Sequence, residues 1–226
     1  MLAKYLLILA LVVNCWAEDE TIISTASLTE GGDSVISVNG EDPLILSNLA
    51  ASLSNPYSSV AKCSDNLVKK ALTEFNINEL ANTGGYKYLY STGLGSTKCA
   101  EGTIYGDDEI GFRATASLTD KKGKSSKVLY ELLPNEDGTI DETLTLDDGN
   151  EYNFVVVPLA WEKKTGVLYY GRCSTEGTSK TESRSIVVSQ CNSNNSKAKS
   201  IADSFAKRDS SGGFKGDKLA KFTICN

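Results

Sequence analysis

Histidine is absent from all 226 residues, and that gap excludes more chemistry than any motif present suggests. Without an imidazole there is no Ser-His-Asp or Cys-His arrangement, no His-ligated zinc and no His-ligated haem. No two of the six cysteines stand at C-x-x-C spacing, so the usual thiolate zinc sites are missing too. A basic surplus is also lacking. Lys and Arg number 23 against 29 Asp and Glu, and a net charge of −6 steers the chain toward neither nucleic acid nor anionic lipid. Beyond the first 17 residues no apolar run approaches the ~20 residues that a bilayer-spanning helix needs. Catalytic residues and metal ligands are therefore expected to be absent, and the chain is expected to be no enzyme and to require no cofactor. What remains is an ordinary globular composition, 40% hydrophobic and 23% charged with 19 Gly and 4 Pro. It rules out collagen, coiled coil and wholesale disorder, and the length suits a single all-β barrel.

Residues 1–17, MLAKYLLILALVVNCWA, hold one Lys, an apolar run from Tyr5 to Val13 and a small residue at Ala17 before the acidic Glu18-Asp19-Glu20. That is the layout of a secretory signal peptide, and it predicts an exported, extracellular protein with no membrane span. Cleavage would remove Cys15 and leave Cys63, Cys99, Cys173, Cys191 and Cys225. In an oxidising compartment five cysteines imply two disulfides and one left over.

Residues 18–74 read as an N-terminal extension with one or two short helices. Its first part, 18–41, is small and polar and should be loosely held. Asp42-Pro43 then opens a helix with a stripe of Leu46, Leu49, Ala50 and Leu53, stopped at Asn55-Pro56. A second helix opens at Ser64 with Leu67, Val68, Ala71, Leu72 and Phe75 on one face. From Gly84 the texture changes to β. Eight runs, Tyr86–Tyr90, Thr103–Tyr105, Gly111–Leu118, Ser126–Leu133, Glu142–Leu146, Tyr152–Trp161, Val167–Cys173 and Arg184–Gln190, alternate with Gly, Asp and Asn clusters. Within them Phe112, Ala114, Ala116 and Leu118 oppose Arg113, Thr115 and Ser117, as a half-buried strand requires. Ala198, Ile201, Ala202, Phe205 and Ala206 then form one helical stripe, capped by Asn195 or Ser196 and ended by Gly212-Gly213. Leu219–Cys225 closes the chain as an extended segment. The fold class is mainly β: an eight-stranded antiparallel up-and-down barrel with a C-terminal α-helix and a helical N-terminal lead-in, closure being the arrangement that removes both exposed edges.

At this point the chain resembles the lipocalins. Phe75-Asn76-Ile77-Asn78-Glu79-Leu80 followed by Gly84-Gly85-Tyr86 is similar to the family's opening motif, with Tyr86 where the family carries Trp. Tyr152–Val157 followed by Tyr169-Tyr170-Gly171-Arg172-Cys173 resembles its second motif. The resemblance covers residues 75–226, read as the barrel domain, and is nearest to arthropod lipocalins of bilin-binding and salivary type. It implies disulfides Cys99–Cys225 and Cys63–Cys173, while the residues alone leave a pairing through Cys191 open. With those bridges made, Cys191 is a free thiol that can join two copies into a homodimer.

The resemblance also implies a secreted carrier for one small hydrophobic ligand, a pigment, a lipid or similar, bound inside the barrel. Tyr86, Tyr105, Phe112, Tyr130, Phe154 and Trp161 are the aromatic candidates for its lining, and Ala114 and Ala116 leave space beside Phe112. The same residues also suit a filled core. In that case the protein is a protein-binding or inhibitory module that works through its loops. Glu101, Asp107, Asp108 and Glu109 read as a solvated loop, with contact to a cationic amine as the alternative. Asn194-Asn195-Ser196 is a glycosylation sequon with Asn194 as acceptor.

Overall fold

The computed structural model describes residues 60–92, 97–145, 149–214 and 217–225. The signal-peptide reading of 1–17, the loose segment 18–41 and the helix from Asp42 lie outside the described residues. A two-residue strand β1 (Ala61–Lys62) is followed by the short helices α1 (Asp65–Val68) and α2 (Ile77–Ala81). Eight strands then run in order: β2 (Tyr86–Ser91), β3 (Thr97–Asp107), β4 (Gly111–Asp120), β5 (Ser125–Pro134), β6 (Ile140–Thr145), β7 (Glu151–Glu162), β8 (Val167–Ser174) and β9 (Ser183–Ser189). A 3-10 turn at Gln190–Asn192, helix α3 (Ser196–Ser211) and β10 (Ala220–Lys221) complete the chain.

Each of the eight strands pairs antiparallel with the next, and β9 pairs with both β8 and β2, so the sheet closes on itself. The barrel expected from the alternation is the one observed. Its hairpins use the local chemistry of the turns. At residues 120–124 the Asp120 carboxylate accepts from the backbone N–H of Lys122 and Lys124, and Gly123 takes φ +84°, a left-handed conformation that glycine adopts without cost.

The helix expected from Ser64 is shorter than its apolar spacing suggests. Ser64 does cap it, accepting from Leu67 N–H, but α1 ends at Val68. The chain then turns so that the Leu72 N–H donates to Pro158 O on β7, a bond that a continuing helix would not permit. Leu67 packs on β8 against Gly171, where a Cβ would lie 2.7 Å from the Leu67 side chain. The stretch Phe75–Leu80, likened above to the opening motif, contains α2, capped by Asn76. Its Ile77 packs with Phe112 and Ile140, and its Leu80 with Tyr86, Leu168 and Val187. These partners come from the starts of β2, β4, β6 and β8 and the body of β9, so α2 stoppers one end of the barrel.

Helix α3 covers the outer face of β2, β8 and β9. Ala198, Ala202 and Phe205 bury against Leu89, Val167, Tyr169, Ile186 and Val188. The Asn195 side chain caps it, accepting from the N–H of Lys197 and Ala198. Under its last turn the buried Asp209 accepts from the Arg184 guanidinium through Nε and, at 3.2 Å, Nη2, and from the Tyr169 hydroxyl at 2.6 Å. Arg184 spends its other donors on the carbonyls of Glu182 and Asp217. The charge is paired and its hydrogen bonds are satisfied, the condition under which an ion pair can be buried.

The two disulfides Cys63–Cys173 and Cys99–Cys225 are present, tying β1 to β8 and the C-terminal tail to β3 across 110 and 126 residues. Loops that long are worth about 4–5 kcal/mol each on chain-entropy grounds. Cys191 is a correction. It is disulfide-bonded, and no cysteine is free among the described residues. The expectation of a free thiol counted the five cysteines that remain after the loss of 1–17. The sulfur proposed to link a homodimer is therefore already engaged.

Asp209→Asn should leave the Arg184 charge buried and unmatched, at a cost of about 3–5 kcal/mol. The thermal midpoint should fall by roughly 10 °C, with amide exchange in 196–211 accelerating first. An unchanged midpoint would show that packing alone holds α3.

Candidate functional site

The inner wall of the barrel is read from the register. Tyr86 pairs with Gly102, Ala114 with Tyr130, Tyr130 with Leu144, Glu142 with Phe154, and Val156 with Arg172. Four of the six aromatic candidates, Tyr86, Phe112, Tyr130 and Phe154, face this interior, and Trp161 joins them at the stoppered end. Strict alternation would turn Trp161 outward, since it is an odd position in a strand whose inward residues, Phe154, Val156 and Pro158, are even. A register shift between Pro158 and Ala160 leaves Leu159 and Ala160 both on the outer side, packed toward α3, and returns Trp161 to the interior. Tyr105 does not belong to the set. It sits opposite Arg113 on the outer face and is 44% exposed, because it is one residue out of phase with the inward Ile104.

Trp161 is held rather than loosely packed. Its indole N–H donates to Glu79 of α2 at 3.0 Å, Lys163 reaches the same carboxylate at 2.6 Å, and Phe75 meets the ring edge-on at 5.7 Å. The hydrogen bond from Lys163, with that from Trp161 added, holds the Glu79 carboxyl below the usual carboxylate range. Tyr86 lies across Gly102 to donate to Thr115 O at 3.3 Å, and a Cβ at Gly102 would come within 2.4 Å of that hydroxyl. Glycine is there because the ring needs the space.

The centre of the interior is polar. Arg172 Nη2 donates to Glu142 at 2.7 Å, and the guanidinium lies 3.7 Å from the Phe154 ring centroid and 5.4 Å from that of Tyr130. Tyr88 and Tyr170 share a hydroxyl–hydroxyl hydrogen bond of 2.8 Å. Burial pushes the Glu142 carboxyl up against the pull of Arg172. Burial is the largest single effect on Arg172 and opposes its charge, but Glu142 together with the surrounding Tyr130, Tyr170 and Tyr88 outweighs it and keeps the guanidinium protonated. Burial first, with the neighbouring Glu142 carboxylate adding to it, raises Tyr86, Tyr88, Tyr130 and Tyr170, so all four hydroxyls keep their protons. Although enclosed by eight strands, Tyr88, Tyr130, Tyr170, Ile104, Leu132 and Val156 are only half-buried, and the Arg172 side chain retains 22% of its surface.

Sequence reasoning missed Glu142, Arg172, Tyr88 and Tyr170. A signal existed: Glu142 has the parity of Ile140 and Leu144, and Arg172 that of Leu168 and Tyr170, so both charges fall on apolar faces. The acidic group is not at this site. Asp107 caps the β3–β4 turn by accepting from the N–H of Glu109 and Ile110, and Asp108 accepts from Asn78, all in exposed positions at the stoppered end.

No family model matches the sequence, and no curated protein does. Among solved structures, apocrustacyanin C1 is similar over 76% of this chain and 93% of its own, with TM-score 0.50 and 15% identity. Lobster apocrustacyanin A1 matches over 75% and 92% with TM-score 0.49 and 16% identity. The amine binding protein of Rhodnius prolixus in its tryptamine complex matches over 72% and 86% with 0.49 and 13%. At such identities the likeness is one of fold: the chain has the lipocalin barrel.

Glu79→Gln should cost about 1 kcal/mol at neutral pH, the hydrogen bonds being charged but partly solvent-screened. The folded-state pKa lies below the ordinary 4.5, so this stabilisation is complete above that value and lost as pH falls through the folded pKa. Thermal melts of wild type and variant should therefore differ at pH 7 and converge toward pH 3. An equal gap at both would locate the effect elsewhere.

Proposed function

We propose that the protein is an exported carrier that holds one small, largely hydrophobic molecule inside its barrel. The observation that carries this reading is the interior itself: one end stoppered by α2, Phe112 beside the half-buried apolar Ile104, Leu132 and Val156, and a few convergent polar groups. Burial supplies the affinity, at about 25 cal/mol per Å² of apolar surface removed from water. The tyrosine hydroxyls and the Arg172–Glu142 pair set orientation. No step of bond making is needed. Export is supported by the leader-like residues 1–17 and by the two long-range disulfides, which persist in oxidising compartments.

A neutral dye tests the carrier. Nile red should bind at one site per chain and quench Trp161, and Ala114→Phe, which fills space opposite Tyr130, should weaken binding by about tenfold or more at a cost to the fold of only ~1–3 kcal/mol. Binding unaffected by that variant would place the dye outside the barrel. A second reading has an observation of its own. Tyr105, Leu129 and Leu133 lie exposed on the outer face of β3 and β5 around the Arg113–Glu131 pair, a surface suited to a protein partner. Wild-type protein that takes up no dye would leave that face as the functional surface.

Asn194 is exposed immediately before the cap of α3, reachable by a glycosyltransferase. Protein secreted from eukaryotic cells should lose mass on enzymatic deglycosylation, and Asn194→Gln should not. Identical masses before and after treatment of wild type would show that the sequon is unused.

A further inference from the structure

Inside the barrel, hydrogen-bond donors outnumber the acceptors set against them. Arg172 brings five N–H donors, and Glu142 meets one terminal nitrogen at 2.7 Å. Its Nε is buried with no partner, the one such side-chain atom among the described residues. The Tyr88 and Tyr170 hydroxyls own two hydrogens and share one bond, so one O–H is left to donate. Tyr86 alone is satisfied by backbone, at Thr115 O. The acceptor placed against this surplus is the Glu142 carboxylate, already held by Arg172. Nearest the stoppered end the interior is lined by the half-buried apolar side chains Ile104, Leu132 and Val156.

We infer that the ligand is a small amphipathic monocarboxylate, its carboxylate seated on Arg172 and the Tyr88–Tyr170 hydroxyl pair and its apolar body against Ile104, Leu132 and Val156. This rests on the carrier reading and sharpens it from hydrophobic to anionic. A carboxylate supplies the missing acceptors in one group, and charge-assisted bonds to Arg and Tyr in a water-poor interior are the strong ones. A neutral chain of the same length leaves the donors unmet. A cation is refused by Arg172 and offered only a carboxylate that is already paired. Glu142 is then a resident stand-in: it occupies the guanidinium when the barrel is empty and competes with the incoming carboxylate.

The experiment uses the full disulfide-bonded protein and three fluorescent probes: a dansylated undecanoic acid, its methyl ester, and the amine of the same chain length. Wild type should prefer the acid over the ester by about tenfold, the worth of one charge-assisted contact. Arg172→Met should abolish that preference while ester binding stays unchanged. Glu142→Gln should strengthen acid binding by about tenfold by removing the competitor. Since Arg172→Met leaves a buried carboxylate unpaired, the double variant Arg172→Met with Glu142→Gln, which removes both charges, serves as the folded control with the same loss of preference. Equal binding of acid and ester by wild type overturns the carboxylate and leaves the carrier standing. Preference for the amine, lost in Glu142→Gln, overturns it in favour of a cationic ligand. If no probe enters, the carrier reading fails and this inference with it.

Discussion

Everything at the site depends on β9 finding two partners. Pairing with β8 alone would leave an open sheet with Tyr86–Ser91 at one edge and the last strand at the other. Pairing with β2 as well satisfies both rows of backbone donors and acceptors and turns one face of every strand into a common interior. Closure forces the irregularities seen around the ring. β2 pairs with β3 through only Tyr86 and Lys87, and it carries a register shift against β9 between Tyr88 and Tyr90. Ordinary alternation keeps Tyr86 and Tyr88 inside and turns Leu89 outward beneath α3, and after the shift Tyr90 lies on the outer side as well. The short β2–β3 seam is flanked by the Cys99–Cys225 bridge and by Lys87, whose ammonium donates to Cys225 O at 2.6 Å. The tail thus covers the place where the ladder is thinnest.

Two arginines one strand apart show how differently a buried charge can be used. Arg184, outside the barrel under α3, meets both oxygens of Asp209 and two main-chain carbonyls, and its pair is further tied by Tyr169. Such a pair fixes the seat of one helix and asks for nothing else. Arg172, inside, has one carboxylate contact, two aromatic faces and an orphaned Nε. An unmet buried donor costs about 1–3 kcal/mol. Arg172 bears this cost inside the barrel, whereas Arg184 has its charge and its donors met.

The eight strands were legible because turn chemistry and period-2 alternation agree along 86–189, and each expected run falls inside an observed strand or differs from it by one residue at an end. The two bridges were legible through family resemblance, not through spacing. What escaped was decided by tertiary structure. A helix opening at Ser64 has a sound cap and a sound stripe, yet Leu72 finds a better backbone partner on β7 and the helix stops. Trp161 and Phe154 share the interior only because one bulge shifts the phase of β7, and Tyr105 was misplaced because aromatic character was weighed above its parity with Ile104. Glu142 and Arg172 were overlooked for the opposite reason: charge suggested solvent, while their parity with Leu144 and Tyr170 pointed inward.

The tyrosines give the interior its selectivity. Phenylalanine at 86, 88, 130 and 170 would supply nearly the same apolar wall, so burial alone does not call for four hydroxyls. Held protonated by their surroundings, each of these groups keeps an O–H to donate. In such a place a ligand that fits but lacks an acceptor leaves a donor unpaired, and that penalty separates ligands more sharply than a methylene more or less of apolar contact. On the carrier reading, affinity would come from the walls and discrimination from the hydroxyls and Arg172. Both follow from a single closed sheet whose inward positions are aliphatic and aromatic in similar measure, sometimes small, and twice charged.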